Sequence, residues 1–218
     1  MKSKFLLFIL PMLLTGIFSF AQKPISEGTI VYAISIQTGN SKQPQMADAL
    51  DGATTTVYLK GALSRTDMVS SLGNESTIYN AQTGEAVILK EYSSQKLMIT
   101  LTKEDWMTKN KNYEGVSFVP GTETKVINGY NCKKATAKLE DGSTIIVYYT
   151  PDLTVTNKDY DQTFKNLPGL AMQYEFQSGT LKFKYVVTRL DLSPVPLAKF
   201  DSPKSGYRVM TYDETNKN

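Results

Sequence analysis

The feature that most narrows the choice of fold is a hydrophobic period of two that runs through the chain from Gly28 onward. Apolar and polar residues alternate as in half-buried strands, and short turn signals separate the alternating segments at the spacing of an antiparallel meander. Near the C-terminal end Leu170, Met172, Tyr174 and Phe176 alternate with Ala171, Gln173, Glu175 and Gln177. After Ser178-Gly179, Leu181, Phe183, Tyr185 and Val187 alternate with Lys182, Lys184, Val186 and Thr188. A two-residue Ser178-Gly179 turn pairs Phe176 with Leu181, Tyr174 with Phe183, Met172 with Tyr185 and Leu170 with Val187 on one face, and sets Glu175 against Lys182 on the other. A one-residue slip turns every aromatic ring to solvent, so the faces are fixed.

Two further hairpins follow the same logic: Cys132 to Glu140 turning at Asp141-Gly142 into Ser143 to Thr150, and Ser76 to Gln82 turning at Thr83-Gly84 into Glu85 to Glu91. Strands are also expected at 29–37, 54–59, 64–69 and 96–101, with antiparallel pairing throughout. Helical signal is scarce. Thr102 can cap a helix running to Lys109, with Asp105 answering from its third position and Leu101 and Trp106 placed as a hydrophobic staple. Short helices are read at 45–50 and 160–164. The predicted fold is mainly β (α+β), a curved antiparallel sheet or half-open barrel with a few short helices as lid.

The first residues read as an export signal. Basic Lys2 and Lys4 precede an uncharged run from Phe5 to Phe20, and Ser19-Phe20-Ala21 places small residues where signal peptidase needs them, so cleavage is expected between Ala21 and Gln22. The run falls short of the roughly 20 residues that span a bilayer, so no integral membrane segment is expected after cleavage. The expected organisation is a signal peptide at 1–21, one β-rich domain at 22–212 and a frayed tail at 213–218, in a periplasmic protein.

Composition excludes several function classes. Removing Lys2 and Lys4 takes the net charge from +3 to about +1, which gives no electrostatic case for nucleic acid. Histidine is absent, and with it the commonest general base and metal ligand. Cys132 is the single cysteine, so no intramolecular disulfide forms, and it reads as a buried structural thiol. Ser93-Ser94-Gln95-Lys96 matches the Ser-x-x-Lys of penicillin-binding enzymes but lacks its companion motifs. Asn157-Lys158-Asp159-Tyr160-Asp161 looks like half of a calcium loop, but Gln162 and Pro168 stand where glycine and glutamate are needed, which leaves solvated loop carboxylates. Glu104-Asp105 and Glu140-Asp141 are accounted for by capping and turn formation. No catalytic residue, metal site or cofactor is expected.

The aromatic residues remain, 11% of the chain. A sheet of many strands curls, few helices are available to cover its apolar face, and incomplete cover leaves a pocket of the kind that takes lipids and small molecules. The candidate ligand-binding residues on that face are Tyr32, Ile34, Met172, Tyr174, Phe176, Phe183 and Tyr185, with Trp106 on the lid. The expected partner is a lipid or other apolar small molecule; the alternative is an envelope protein that docks on a domain with a filled core.

Three ordered blocks carry a resemblance: Ile127-Asn128-Gly129-Tyr130-Asn131-Cys132-Lys133-Lys134-Ala135-Thr136, Val147-Tyr148-Tyr149-Thr150-Pro151-Asp152-Leu153, and Phe164-Lys165-Asn166-Leu167-Pro168-Gly169-Leu170. Together they resemble the GLPGLI family and its uncharacterised relatives among envelope proteins of the Bacteroidota. Asn166 and Ala171 replace the first glycine and final isoleucine of the name-giving motif. The resemblance implies a half-barrel similar to that of the lipoprotein-localisation carriers and of periplasmic sigma-factor regulators, and brings no catalytic residues. Pro168-Gly169 reads as a tight turn before the strongest strand.

Overall fold

The computed structural model describes residues 22–38, 50–178 and 181–215. The expected signal peptide lies outside these residues, as does most of the helix expected at 45–50. In chain order the strands are β1 (Lys23–Ile25), β2 (Glu27–Thr38), β3 (Thr54–Lys60), β4 (Leu63–Ser70), β5 (Gly73–Asn80), β6 (Ala86–Tyr92) and β7 (Gln95–Leu101), followed by helix α1 (Lys103–Lys109). Then come β8 (Val119–Ile127), β9 (Tyr130–Lys138), β10 (Thr144–Thr150), β11 (Leu153–Val155), β12 (Leu170–Ser178), β13 (Leu181–Asp191), β14 (Arg208–Thr211) and the single turn α2 (Tyr212–Thr215).

Twelve strands form one large curved sheet in the order β14-β7-β6-β5-β4-β3-β2-β13-β12-β10-β9-β8, with β14 and β8 as its open edges. The architecture is the mainly β, half-open arrangement expected from the alternation. Local chemistry explains the elements. β2 is rich in β-branched and aromatic residues, which suit a pleated surface. α1 starts at the Thr102–Asp105 capping box, where Thr102 Oγ1 accepts from the Asp105 N–H at 3.2 Å and Asp105 Oδ2 accepts from the Thr102 N–H at 2.9 Å.

Pairing departs from the antiparallel expectation twice. β14 runs parallel to β7, and β1 pairs in parallel with β11 as a separate two-stranded ribbon. The first departure follows from the path of residues 192–207, which cross the outer face of the sheet, so the chain reaches the edge of β7 running in the same direction. Val195 and Phe200 of that crossing pack on Ile78 and Leu89. Glu27 holds the crossing by an ion pair with Lys60 and by accepting from the Val195 N–H at 2.7 Å.

The β12–β13 register is displaced by two residues from the expected one. Ser178 pairs with Leu181, so Phe176 meets Phe183 and Tyr174 meets Tyr185, and Glu175 faces Lys184 rather than Lys182. An even displacement keeps every side chain on its face, and this register puts aromatic ring against aromatic ring, the favoured cross-strand combination. Two other expectations are corrected. The 160–164 helix is a pair of 3-10 turns, Lys158–Tyr160 and Gln162–Phe164, because the Asp161 side chain accepts from the Thr163 N–H and restarts the turn. Residues 213–215 of the expected frayed tail belong to α2, held by a second capping box between Thr211 and Glu214.

The strand register carries one apolar face across the sheet. Ile30 and Tyr32 of β2, Val57 and Leu59 of β3, Tyr79 of β5, Ile88 of β6, Val187 of β13 and Val147 of β10 all lie on this inner face. Three of the four core clusters sit there. β1 and β11 cover its middle, the loop around Val116 and the 3-10 turns cover β9, β10 and β12, and α1 covers β5 to β7.

Candidate functional site

The inner face is not covered evenly. Two clefts open on it, on either side of the segment from Asp159 to Asn166. Tyr113, placed by the 3-10 turn after α1, borders both.

The first cleft, of about 500 Å³, is floored by the β10, β12 and β13 strands. Its wall is an aromatic ladder. Tyr174 and Tyr185 stack at 4.5 Å between ring centroids, Phe176 lies 5.8 Å from Tyr185, and Phe164 closes on Tyr174 at 4.8 Å. Phe183 stacks on Phe176 at 5.1 Å. The ladder follows from the register, which puts these residues opposite one another on one face.

One carboxyl sits among the rings. Asp161 borders the cleft and accepts from the Thr163 N–H at 2.9 Å. Burial among the tyrosines pushes its pKa up, against the opposing pull of its hydrogen bonds to Thr163. Burial first, and then the Asp161 charge, raise Tyr174 well above the ordinary phenol range and push Tyr185 up to about 12. Both phenols are therefore neutral donors at physiological pH. Such a cleft takes an apolar body and offers it a few polar contacts, which is the general composition of small-molecule sites of roughly 300–1,000 Å³.

The candidate residues divide into three groups. Tyr174, Phe176 and Tyr185 line the aromatic cleft, with Phe183 stacked on Phe176. Tyr32, Ile34 and Met172 share the same face but are sealed, at 3%, 3% and 0% exposure. The Tyr32 hydroxyl donates to the Ala171 carbonyl at 2.9 Å, which ties β2 to the start of β12. Trp106 is placed apart from all of these. It stacks on Tyr79 at 4.7 Å and borders the second cleft, of about 480 Å³, between α1 and the β5–β6 turn. Thus α1 does not cover the aromatic cleft; the 3-10 turns and the Tyr113 loop do.

Sequence reasoning missed Tyr113, Asp161 and Phe164. The acidic 157–161 stretch reads as solvated, yet Asn157 and Asp161 spend their side chains on local turns, and Asp161 lies against the rings. The only available signal was the Asp-x-Thr spacing of an Asx turn ahead of an apolar residue. Among the described residues no three His, Cys, Asp or Glu side chains converge as a metal site requires. Ser93 lies in the tight β6–β7 turn with φ of 56°, not at a helix start. Cys132 is buried, and burial pushes its thiol up to about 11.

No family model matches the sequence, and no curated protein matches it significantly. Solved structures do resemble the fold. An uncharacterised conserved protein from Thermus thermophilus superposes with a TM-score of 0.50 at 11% identity, over 84% of this chain and 90% of that one. A protein named PNGF-II gives 0.46 at 16% identity over 86% of this chain, which spans about a third, 32%, of its length. The Mycobacterium tuberculosis lipoprotein LppX gives 0.39 at 10% identity, over 78% of this chain and 88% of that one. At these identities the likeness concerns the fold, and the Thermus protein shares it over most of both chains. The class of protein defined by fold and site is an open, curved β-sheet domain with ligand-sized clefts on its covered face. No helix among the described residues is long and apolar enough to cross a membrane.

Proposed function

We propose that this protein is an exported envelope protein, cleaved after Ala21, that holds a lipid or other apolar ligand against the inner face of its curved sheet and performs no catalysis. The observation that carries the reading is the aromatic cleft: Tyr174, Phe176, Tyr185 and Phe164 around a space of about 500 Å³, with the carboxyls of Asp161 and Asp141 also on its lining. The three sequence blocks that resemble the GLPGLI family support an envelope setting. The absence of histidine supports a non-catalytic role.

Native mass spectrometry of the protein purified without detergent, before and after incubation with envelope lipid extract, tests this. The expected result is a discrete excess mass that leaves on denaturation and is lost in Tyr185→Asp, which charges the cleft wall. A bare mass in both preparations ends the reading.

A second reading, an envelope protein that docks a protein partner, is favoured by a different observation. Tyr32, Ile34 and Met172 are sealed in a filled core, while edge strand β8 presents Val119 and Val126 at 64% and 67% exposure. An exposed strand edge is a ready template for strand addition. A co-purifying envelope protein released by Val126→Lys would support this second reading over the first.

A further inference from the structure

The two clefts on the inner face differ in the charges that line them. Lys103 and Lys165 border the cleft beside α1 together with Asp159 and Glu114, and Lys165 is paired with Asp159 at 2.6 Å. The aromatic cleft is lined by no lysine, arginine or histidine, while two carboxyls, Asp161 and Asp141, stand on its lining. Among the described residues neither of these carboxyls enters an ion pair.

Local hydrogen bonds fix both carboxyls without cancelling their charge. Asp161 accepts from the Thr163 N–H at 2.9 Å, and the Thr163 hydroxyl and the Phe164 N–H bond it as well. Asp141 accepts from the Ser143 N–H at 2.8 Å. All of these donors are neutral. Asp141 lies on the exposed turn between β9 and β10, whereas Asp161 lies against the rings, where burial opposes its charge. An ionised carboxyl in apolar surroundings with no counter-ion is costly, and a cation that arrives with a ligand offsets that cost. The field inside the cleft has one sign: Asp161 acts on Tyr113, Tyr174 and Tyr185, Asp141 acts on Tyr113, and each of these influences disfavours negative charge.

Two acids with no compensating base repel a carboxylate or phosphate head and attract an ammonium. The attraction acts through space, so it does not require an unused lone pair on either carboxyl. The rings of Phe164, Tyr174, Phe176 and Tyr185 supply apolar surface for the rest of the molecule.

We infer that the apolar ligand of the aromatic cleft carries a protonated amine, held by attraction to Asp161 and Asp141: its class is an amine-headed amphiphile rather than a fatty acid or other acid-headed lipid. The inference rests on the reading of this cleft as the apolar-ligand site.

Three probes with the same ten-carbon chain separate the head from the body. Decylammonium, decanol and decanoate are titrated into the purified protein at pH 7, below their micellar concentrations, and binding is read by calorimetry. The expected order is decylammonium tightest, by about tenfold or more over decanol, with decanoate weakest. Asp161→Asn keeps the acceptor for Thr163 and removes the charge, so the ratio of decylammonium to decanol affinity should fall about tenfold. Asp141→Asn, on its exposed turn, keeps the acceptor for Ser143 and should lower the ratio by a smaller factor. Circular dichroism confirms that each variant keeps its strands. Decanol or decanoate binding as tightly as decylammonium overturns the amine inference and leaves the apolar-ligand reading standing. A ratio unchanged in both folded variants also overturns it. If none of the three probes binds, the reading of the cleft fails and the inference falls with it.

Discussion

Tyr174 and Tyr185 stand directly opposite one another on β12 and β13, their rings parallel to within 10° and 4.5 Å apart at the centroids. This pair joins the two central strands of the aromatic cleft and forms part of its wall. Aromatic pairs contribute about 0.5–1.5 kcal/mol beyond their area burial. A double-mutant cycle of Tyr174→Leu and Tyr185→Leu, read by urea unfolding, should therefore give a coupling of about 1 kcal/mol. Simple additivity would mean that the stacking stabilises nothing.

Asp161 gives the protein a pH dependence of unusual sign for an acid. Its pKa is raised above the ordinary 3.8 by burial, so the folded state binds the proton more tightly than the unfolded chain. Its contribution is complete below pH 3.8 and is lost as pH rises through the folded value. Asparagine keeps the acceptor for the Thr163 N–H without the charge. Asp161→Asn should gain on the parent in urea-unfolding stability as pH rises from acid to neutral, and a difference that is flat with pH would contradict the burial argument.

Gly169 is required by contact rather than by backbone conformation. A Cβ built there lies 2.2 Å from the Thr150 carbonyl oxygen and 2.8 Å from the Tyr149 ring. Gly169→Ala should force β12 away from β10 and cost about 2–3 kcal/mol, seen as a lower unfolding midpoint. An unchanged midpoint would show that the strand start is free to shift.

Thr102→Ala removes one half of the α1 capping box and should cost about 1 kcal/mol. Because α1 carries the single tryptophan, the loss should appear as a change in Trp106 emission at denaturant concentrations below the main transition. Coincident transitions would mean that α1 and the sheet unfold as one unit.

Cys132 should resist thiol reagents at mildly alkaline pH in the native state and react fully once unfolded, since it is buried with a thiol pushed up to about 11. Rapid native labelling would place the thiol nearer solvent than the structure does.

The sheet was legible because its signal is local. Alternation assigned the face of Tyr32, Met172, Tyr174 and Phe183 without any knowledge of partners, and the Thr102–Asp105 spacing located α1. The register of β12 on β13 was less so, since displacements by even numbers preserve the pattern and only ring-to-ring pairing chooses among them. β8 and β14 were missed because neither alternates cleanly: β8 is exposed along most of its length and its pairing shifts between Pro120 and Thr124, while β14 is four residues long. The candidate site was legible only in part. Which face was apolar followed from the strands, but which residues on it remain accessible depends on where the 3-10 turns and the Tyr113 loop settle, and on Asp161 leaving water for the company of tyrosines. Those outcomes come from packing between segments far apart in sequence.

The seam between β2 and β13 closes the middle of the sheet with strands from opposite ends of the described chain. β3 satisfies one side of β2 within a short stretch of synthesis, but the other side has no native partner until β13 is made. Closing so long a loop is entropically slow, and an unpaired edge rich in isoleucine, valine and tyrosine invites strands from other molecules in the meantime. The hazard of this seam therefore belongs to the nascent chain, and a chaperone that attends it must guard the flank of β2 until β13 arrives.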